Sequence, residues 1–291
     1  MTLQTRVLLE GLDFPEAPRW HDDRLWFSDM QAQRVMAVDL EGKAEVIAEV
    51  PGQPSGLGWL PDGRLLVVSM TERRLLRLDA EGLTEVTDLS GLASGNCNDM
   101  VVDKLGRAYI GNFGDDLGGG QFSPAQIIIV TPEGDARVVA DGMYFPNGTV
   151  ITPDSSTLII AETFGSRLTA FDIESNGSLS GRRVWAQLSE EATGRGNSFA
   201  ELRSKPEGII IPDGMCLDAD GAIWVANPLG KEILHVREGG EVTDRIELSS
   251  GVTACMLGGP DRRTLFITAP GPQSSGTIET VEVAVPGAGL P

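Results

Sequence analysis

The stretch PSGLGWLPDGRLLVVSMTERRLLRLDAEG, residues 54–82, alternates short apolar runs with Pro-Asp-Gly and charged turn segments. Apolar runs of about five residues between such turns are typical of antiparallel β-strands. The same order of runs and turns begins again at residues 14, 98, 145, 212 and 254. The stretch is therefore one unit of a repeat that extends along the chain.

The spacing of the repeat predicts a six-bladed β-propeller. Each unit has one residue just before its innermost strand, and we call these six the anchor residues: Glu16, Ser55, Asn98, Asn147, Asp213 and Ala254. Most neighbouring anchors lie about 40–50 residues apart, which is the length of a four-stranded blade. We therefore predict an all-β chain in which residues 1–291 form a single propeller domain. The alternative is two three-bladed halves or a solenoid.

Three segments depart from the regular unit. The fourth unit is about 20 residues longer than the others and contains Leu188–Arg195, which has some helical character, so we expect a surface loop there. Residues Arg6–Glu10 precede the first unit and are expected to pair with the last blade, which would join the ends of the ring. The glycine-rich segment Gly114–Pro124 fits either a lid or a static turn.

The composition excludes several classes of function. The chain has 23 Lys and Arg residues against 42 Asp and Glu residues, a formal charge of −19. Such acidity argues against binding to nucleic acid or to an anionic membrane surface. No apolar run is long enough to span a membrane, and no secretory signal is visible. The partner we expect is a small molecule, and the oligomeric state is left open.

The three cysteines indicate a reducing compartment. Cys97, Cys216 and Cys255 are too few for a disulfide framework, and their spacing is not that of a zinc site. We expect them to be small buried hydrophobic residues of a cytoplasmic protein.

The anchor residues predict a central metal-binding channel. Equivalent positions of the blades lie at equivalent radius, so the anchors should surround one mouth of the channel. Four of them carry carboxylate or carboxamide oxygens, a donor set that suits one hard divalent cation. Calcium or magnesium fits most simply, and zinc, manganese or iron remain open. The alternative is that Asn147-Gly148 and Asp213-Gly214 are ordinary turn dipeptides.

A second ring of polar residues follows about 14 residues after the anchors, at the end of the next predicted strand. Its members are Asp29, Ser69, Asn112, Glu162, Asn227 and Ala269. Apolar residues follow them, including Phe113 and Phe164. Apolar walls with a few convergent polar groups are typical of small-molecule sites. We therefore expect Asn112, Glu162, Phe113 and Phe164 to contact a substrate, with strand-end hydrogen bonding as the alternative for the polar ring.

Five ordered motifs resemble those of the senescence marker protein/gluconolactonase/luciferin-regenerating enzyme family. They are FPEAPRW, NDMVVDKLGRAYIGNFG, FPNGTVITPDSSTLIIAET, PDGMCLDADGAIWVA and MLGGPDRRTLFIT, and the resemblance covers about Leu12 to Thr268. The resemblance implies a six-bladed propeller that hydrolyses lactones with one divalent metal in its channel. It also implies that Glu16, Asn147 and Asp213 hold the metal and that Asn98 contacts the substrate or completes the metal shell.

One position departs from the family pattern. Members that act on sugar lactones often carry an arginine two residues before the Asn98 position, and this chain has Asn96 there. Asparagine has a shorter arm and fewer donors for substrate hydroxyls. Together with the apolar residues of the second ring, Asn96 leaves a sugar lactone and a less polar lactone or ester as equal alternatives.

The resulting hypothesis is a metal-dependent lactonase in which Asp213 is both ligand and general base. No G-x-S-x-G motif is present, so serine esterase chemistry is not expected. A phosphotriester or organofluorophosphate hydrolase with the same site and a non-catalytic calcium-binding propeller are the alternatives.

Overall fold

A computed structural model describes residues 4–114, 122–194, 199–204 and 208–288 of the chain. Its strands form six antiparallel four-stranded sheets that are arranged as the blades of a β-propeller. The predicted all-β, six-bladed architecture is confirmed. The alternative of two three-bladed halves or a solenoid is excluded, because the innermost strands of the first and last blades contact each other.

Five blades are formed by four consecutive strands, and the sixth takes its outermost strand from the start of the chain. Blade 1 contains β2 (Pro15–His21), β3 (Arg24–Asp29), β4 (Arg34–Val38) and β5 (Ala44–Glu49). Blade 2 contains β6 (Pro54–Trp59), β7 (Leu65–Ser69), β8 (Arg74–Asp79) and β9 (Gly82–Asp88). Blade 3 contains β10 (Cys97–Val102), β11 (Ala108–Asn112), β12 (Ala125–Val130) and β13 (Ala136–Met143).

The second half of the ring repeats this order. Blade 4 contains β14 (Pro146–Ile151), β15 (Thr157–Glu162), β16 (Arg167–Ile173) and β17 (Leu179–Gln187). Blade 5 contains β18 (Met215–Leu217), β19 (Ile223–Asn227), β20 (Glu232–Val236) and β21 (Val242–Glu247). Blade 6 contains β22 (Ala254–Gly258), β23 (Thr264–Ala269) and β24 (Gly276–Glu282), with β1 (Arg6–Leu12) as its outermost strand.

The innermost strands converge on a narrow axis. Each of β2, β6, β10, β14, β18 and β22 contacts the innermost strands of both neighbouring blades, and together they surround the channel. Strands β10 and β14 are buried along their whole length, whereas the outer strands β5 and β9 are largely exposed or half-buried. Apolar side chains between adjacent blades therefore supply most of the core.

Two glycines allow this convergence. Gly148 and Gly214 follow the anchors Asn147 and Asp213, and neither has the positive φ of a left-handed turn residue. A Cβ on Gly148 would collide with the backbone of Asp213 and Gly214, and one on Gly214 would collide with Ala254. These dipeptides are therefore close-approach positions between innermost strands rather than turns.

The ring closes as predicted, through the N-terminal segment. Strand β1 pairs antiparallel with β24, with Arg6 opposite Thr280 and Leu12 opposite Gly276. Leu12 is 2% exposed and belongs to the core between blades 6, 1 and 5. The first and last parts of the chain thus share one sheet.

The long connection between blades 4 and 5 contains the helical residues. A 3₁₀ turn covers Ala192–Gly194, and α1 covers Phe199–Ser204. The expected helical segment Leu188–Arg195 is therefore only partly helical, and Arg195 lies outside the described residues. Residues 115–121 of the glycine-rich segment also lie outside them.

All three cysteines are free and buried, as expected. In the part of the chain that the structure describes, no helix is long and apolar enough to cross a membrane. The cytoplasmic location and the assignment of the whole chain to one domain stay predictions.

We predict that the closing strand contributes strongly to stability through its inward side chain. Leu12→Ala should lower the free energy of unfolding by about 2–5 kcal/mol, because it leaves a cavity in a packed core. Val7, on the same strand, is 55% exposed, so Val7→Ala should change the free energy of unfolding by no more than about 0.5 kcal/mol. Chemical denaturation of both variants measures the difference, and equal effects would contradict a closing role for β1.

Candidate metal and substrate site

The structure brings the polar anchor residues to one mouth of the channel. Glu16, Ser55, Asn98 and Asn147 are each the second residue of an innermost strand, whereas Asp213 lies two residues before β18. The Asp213 amide donates to the Ala226 carbonyl, so the backbone at this anchor is fixed by its own blade. Residues at the same position of the sequence repeat thus lie at similar positions of their blades.

Glu16 and Asp213 are half-buried carboxylates that repel each other. The pKa of Glu16 is raised to about 7, chiefly by burial and also by the nearby Asp99 carboxylate. The Ala17 amide, which donates to Glu16 Oε2 at 2.7 Å, opposes the increase, and so do the charge of Arg19 and, to a smaller extent, Thr253 of the adjacent blade 6. Such a group is poorly compensated by the protein alone.

The same causes act more strongly on Asp213. Burial raises its pKa well above the usual value, and the carboxylates of Glu16 and Asp99 raise it further. Hydrogen bonds from the Asn147 side chain and the Gly214 amide oppose the increase. Two adjacent carboxylates of this kind favour the binding of protons or of a cation.

The two carboxamides complete the set of oxygen donors. Asn147 Nδ2 donates to Thr163 Oγ1 at 3.2 Å, which leaves Oδ1 for another partner. Asn98 Oδ1 accepts from Ser55 Oγ at 3.2 Å, and its buried Nδ2 has no hydrogen-bond partner in the structure. Exchanging the two amide atoms of Asn98 would let Nδ2 bond to Ser55 and present Oδ1 instead.

These donors fit a hard divalent cation. Two carboxylates and two carboxamides offer oxygen ligands and two negative charges, and the orphaned amide atom of Asn98 is an unused polar position beside them. No group of three or more His, Cys, Asp or Glu side chains is arranged to hold a metal within the described ranges. A cation here would therefore depend on the amides as well as on Glu16 and Asp213.

Sequence reasoning missed two charged residues deeper in the channel. Asp99 follows the anchor Asn98, and Arg19 lies three residues after Glu16 on β2. Arg19 Nη2 donates to Asp99 Oδ1 at 2.6 Å, and both side chains are 7% exposed. The available signal was the arginine itself, because a charged residue in the middle of an innermost strand requires a buried partner.

The structure gives the polar second ring a different role from the expected one. Glu162 is fully buried and accepts hydrogen bonds from Arg167 Nε, Thr169 Oγ1 and the Tyr144 amide. Although burial raises its pKa, the hydrogen bonds from Arg167 and Thr169 outweigh this and lower it. Its carboxylate therefore fixes the end of a blade and is not available to a substrate.

The side chains of Asn112 and Asp29 are likewise used in hydrogen bonds within the protein. Asn112 is fully buried, donates to the Gln126 carbonyl at 2.9 Å and accepts from the Gly114 amide at 3.0 Å. Asp29 accepts from two backbone amides of the loop before β2 and pairs with Arg34 at 2.7 Å. Strand-end hydrogen bonding, the alternative reading of this ring, accounts for these side chains.

The aromatic residues of the second ring do belong to a common surface. Phe113, Phe122, Phe145 and Phe164 form what we call the aromatic wall. The Phe145 ring centroid lies 4.5 Å from that of Phe113 and 5.3 Å from that of Phe164, which lies 4.0 Å from Phe122. The sequence reasoning did not select Phe145, although it comes two residues before the anchor Asn147.

The long connection between blades 4 and 5 packs behind this wall. Leu202, Ile209 and Ile211 are buried against the wall residues Phe145 and Phe164. Asn96 is half-buried nearby, and its carbonyl accepts from the Phe113 amide at 2.9 Å. The aromatic wall is thus part of a continuous apolar cluster, and the backbone of Asn96 is bonded to one of its members.

Comparisons with known proteins agree with this architecture. A family model for the SMP-30/gluconolactonase/LRE-like region matches residues 14–270. A pentonolactonase of Haloferax volcanii is 26% identical over 278 residues, which cover 94% of this chain and 87% of that protein. A luciferin-regenerating enzyme superposes with a TM-score of 0.78 at 18% identity, over 99% of both chains. A calcium-binding regucalcin of Agrobacterium tumefaciens gives 0.77 at 21% identity, over 98% of this chain and 97% of that one.

We predict that Glu16 makes the ion-free protein less stable as the pH rises. Its folded-state pKa exceeds that of the unfolded chain, so its contribution is fully present below about pH 4.5 and is lost as the pH rises to about 7. In excess chelator, Glu16→Gln should therefore be more stable than the wild type at pH 8, by up to about 3 kcal/mol, and closer to it at pH 4.5.

Denaturant titrations across this pH range measure the effect. Glu41→Gln, at an exposed position on the same blade, is the matched control and should follow the wild type throughout. If the free energy of unfolding of wild type and of Glu16→Gln changed with pH in the same way, the ionised Glu16 carboxylate would not destabilise the folded protein.

Proposed function

The chain belongs to the SMP-30/gluconolactonase/LRE-like family, and we propose that it is a divalent-metal-dependent hydrolase that opens the ester bond of a lactone. The proposal depends on the proximity of two acids: the Glu16 carboxylate raises the pKa of Asp213, and both residues lie beside amide oxygens that suit a hard cation. The similarity to a pentonolactonase over 94% of the chain supports the choice of a lactone as the substrate.

Glu16, Asn147 and Asp213 are the proposed ligands, and calcium is the proposed ion. The similarity to a calcium-binding regucalcin supports calcium over magnesium, zinc, manganese or iron. When bound, such a cation supplies a Lewis acid that polarises the lactone carbonyl. Asn98 either completes the shell with Oδ1 or donates from Nδ2 to the substrate oxygen that gains negative charge.

Asp213 is the proposed general base. It removes one proton from water while the water oxygen bonds to the carbonyl carbon. The bond between that carbon and the ring oxygen then breaks, and the proton passes to the departing ring oxygen. The product is a hydroxy acid, and Asp213 ends in its starting state.

The aromatic wall supports a less polar lactone as the preferred substrate. Phe113 and Phe122 are half-buried and continuous with the buried Phe145 and Phe164, so they offer apolar area to a substituent on the lactone ring. The half-buried Asn96 beside them offers few donors for hydroxyl groups. Apolar burial would therefore contribute more to binding than hydrogen bonds to hydroxyls.

We predict that Asp213→Asn abolishes lactone hydrolysis, with a fall in kcat of at least about 100-fold, because it removes both a ligand charge and the base. Excess EDTA should give the same loss in the wild type, and added calcium should restore it. Asp220→Asn, at an exposed position on the same blade, is the control and should retain activity.

A panel of lactones and phosphotriesters, with metal analysis of the purified protein, completes this test. Full lactonase activity after complete metal removal would exclude the proposed mechanism. Faster turnover of phosphotriesters would favour the phosphotriesterase alternative. Tight calcium binding without any turnover would favour a non-catalytic calcium-binding propeller.

We also predict a substrate preference set by the aromatic wall. Phe113→Ala should lower kcat/KM for an alkyl-substituted γ-lactone by about tenfold, because roughly 1.5 kcal/mol of apolar burial is lost. The same variant should change kcat/KM for gluconolactone by less than about twofold. Leu105→Ala, at a 62% exposed position outside the wall, is the control. An equal loss for both substrates would argue against selection by the wall.

A further inference from the structure

The Arg19–Asp99 ion pair lies between the innermost strands of two blades, beside the proposed metal ligand Glu16. Arg19 belongs to β2 of blade 1 and Asp99 to β10 of blade 3, so the contact joins blades that are not neighbours. Arg19 Nη2 donates to Asp99 Oδ1 at 2.6 Å and to the Met100 carbonyl at 2.7 Å, and Nη1 donates to the Pro18 carbonyl at 2.9 Å. The guanidinium is thus held in one orientation.

The surroundings of the Arg19–Asp99 pair screen its charges only weakly. Asp99 also accepts from the Met100 amide at 2.8 Å, so its carboxylate is fixed to the backbone of β10. On the far side, Arg19 lines a small cavity with about 20 Å³ of room for water, which is enough for about one molecule. Most other lining residues of the cavity are apolar, among them Val101 and Met256, but Arg262 of blade 6 also lines it, and burial lowers the pKa of that arginine. Charges in such surroundings are weakly screened.

Asp99 acts electrostatically on both carboxylates of the proposed metal site. Its charge raises the pKa of Glu16 and that of Asp213. Four charged groups therefore interact at this site, the carboxylates of Glu16, Asp99 and Asp213 and the guanidinium of Arg19. With Arg19 paired to Asp99, these four groups carry two negative charges when all are ionised, which one divalent cation neutralises.

We propose that Arg19 and Asp99 form a charge-setting pair that fixes the net charge of the channel and thereby its selectivity for divalent over trivalent cations. The inference rests on the proposed function, because it concerns the cation held by Glu16, Asn147 and Asp213. Arg19 and Asp99 are positioning residues: they act through the field at the site and do not contact the substrate.

The two halves of the pair should have opposite effects on cation affinity. Arg19→Met removes a positive charge, so terbium(III) affinity should rise relative to calcium affinity by about tenfold or more. Asp99→Asn removes a negative charge and leaves the guanidinium uncompensated, so calcium affinity should fall by about tenfold or more and terbium affinity further. The double variant should return the terbium-to-calcium ratio to within about threefold of the wild type.

Calorimetry with calcium and terbium luminescence, both at pH 8 on the full chain, measure these affinities. Arg19→Lys keeps the charge and should keep the wild-type ratio, and it stays informative if Arg19→Met fails to fold. A merely structural pair would lower both affinities in both single variants, and that result, or unchanged ratios, would overturn the inference. If the wild type binds neither ion, the proposed function itself fails; if it binds calcium but the ratios do not move, only the charge-setting pair fails.

Discussion

The antiparallel pairing of β1 with β24 closes the ring, and the candidate site depends on this closure. Glu16 belongs to blade 1 and Asp213 to blade 5, so they meet only because blade 6 brings the end of the chain back beside its start. Thr253 marks the junction: it leads into β22, donates to the Pro15 carbonyl at 3.0 Å and lowers the pKa of the adjacent Glu16. Without closure, the donors that a cation needs would lie on opposite ends of an open array.

Closure also explains why polar groups collect at the axis at an energetic cost. Six innermost strands converge so tightly that Gly148 and Gly214 have no room for a side chain. Residues that face the axis lose water, and two of them are acids whose charged forms are destabilised by burial. Stability alone does not favour such an arrangement, since Ser55 and Ala254 occupy the same position in other blades without charge. A site that destabilises the ion-free protein gains most from binding a cation.

The repeat predicted the fold because its period, strand lengths and turns all specify the same unit, and the anchor phase placed Glu16, Asn98, Asn147 and Asp213 at one level of the ring. The position within the repeat did not predict the role of Glu162 and Asn112. That position indicates the height and radius of a residue in the ring but not its hydrogen-bond partners, and these side chains form hydrogen bonds within their own blades. The repeat also could not indicate the pairing of Arg19 with Asp99. Their contact joins blades 1 and 3 across the channel, and no periodicity within a blade records such a pair.

The polar axis and the aromatic wall divide the proposed work between two kinds of interaction. The carboxylates and amides recognise what all lactones share, an ester carbonyl, and therefore distinguish poorly among them. Discrimination must come from groups that contact the rest of the substrate, and the aromatic wall, with Phe145 two residues before the Asn147 anchor, offers such groups. Apolar walls separate ligands by only about 1–3 kcal/mol for each methylene group. A preference among less polar lactones should therefore be graded, whereas the requirement for the carbonyl and the cation should be absolute.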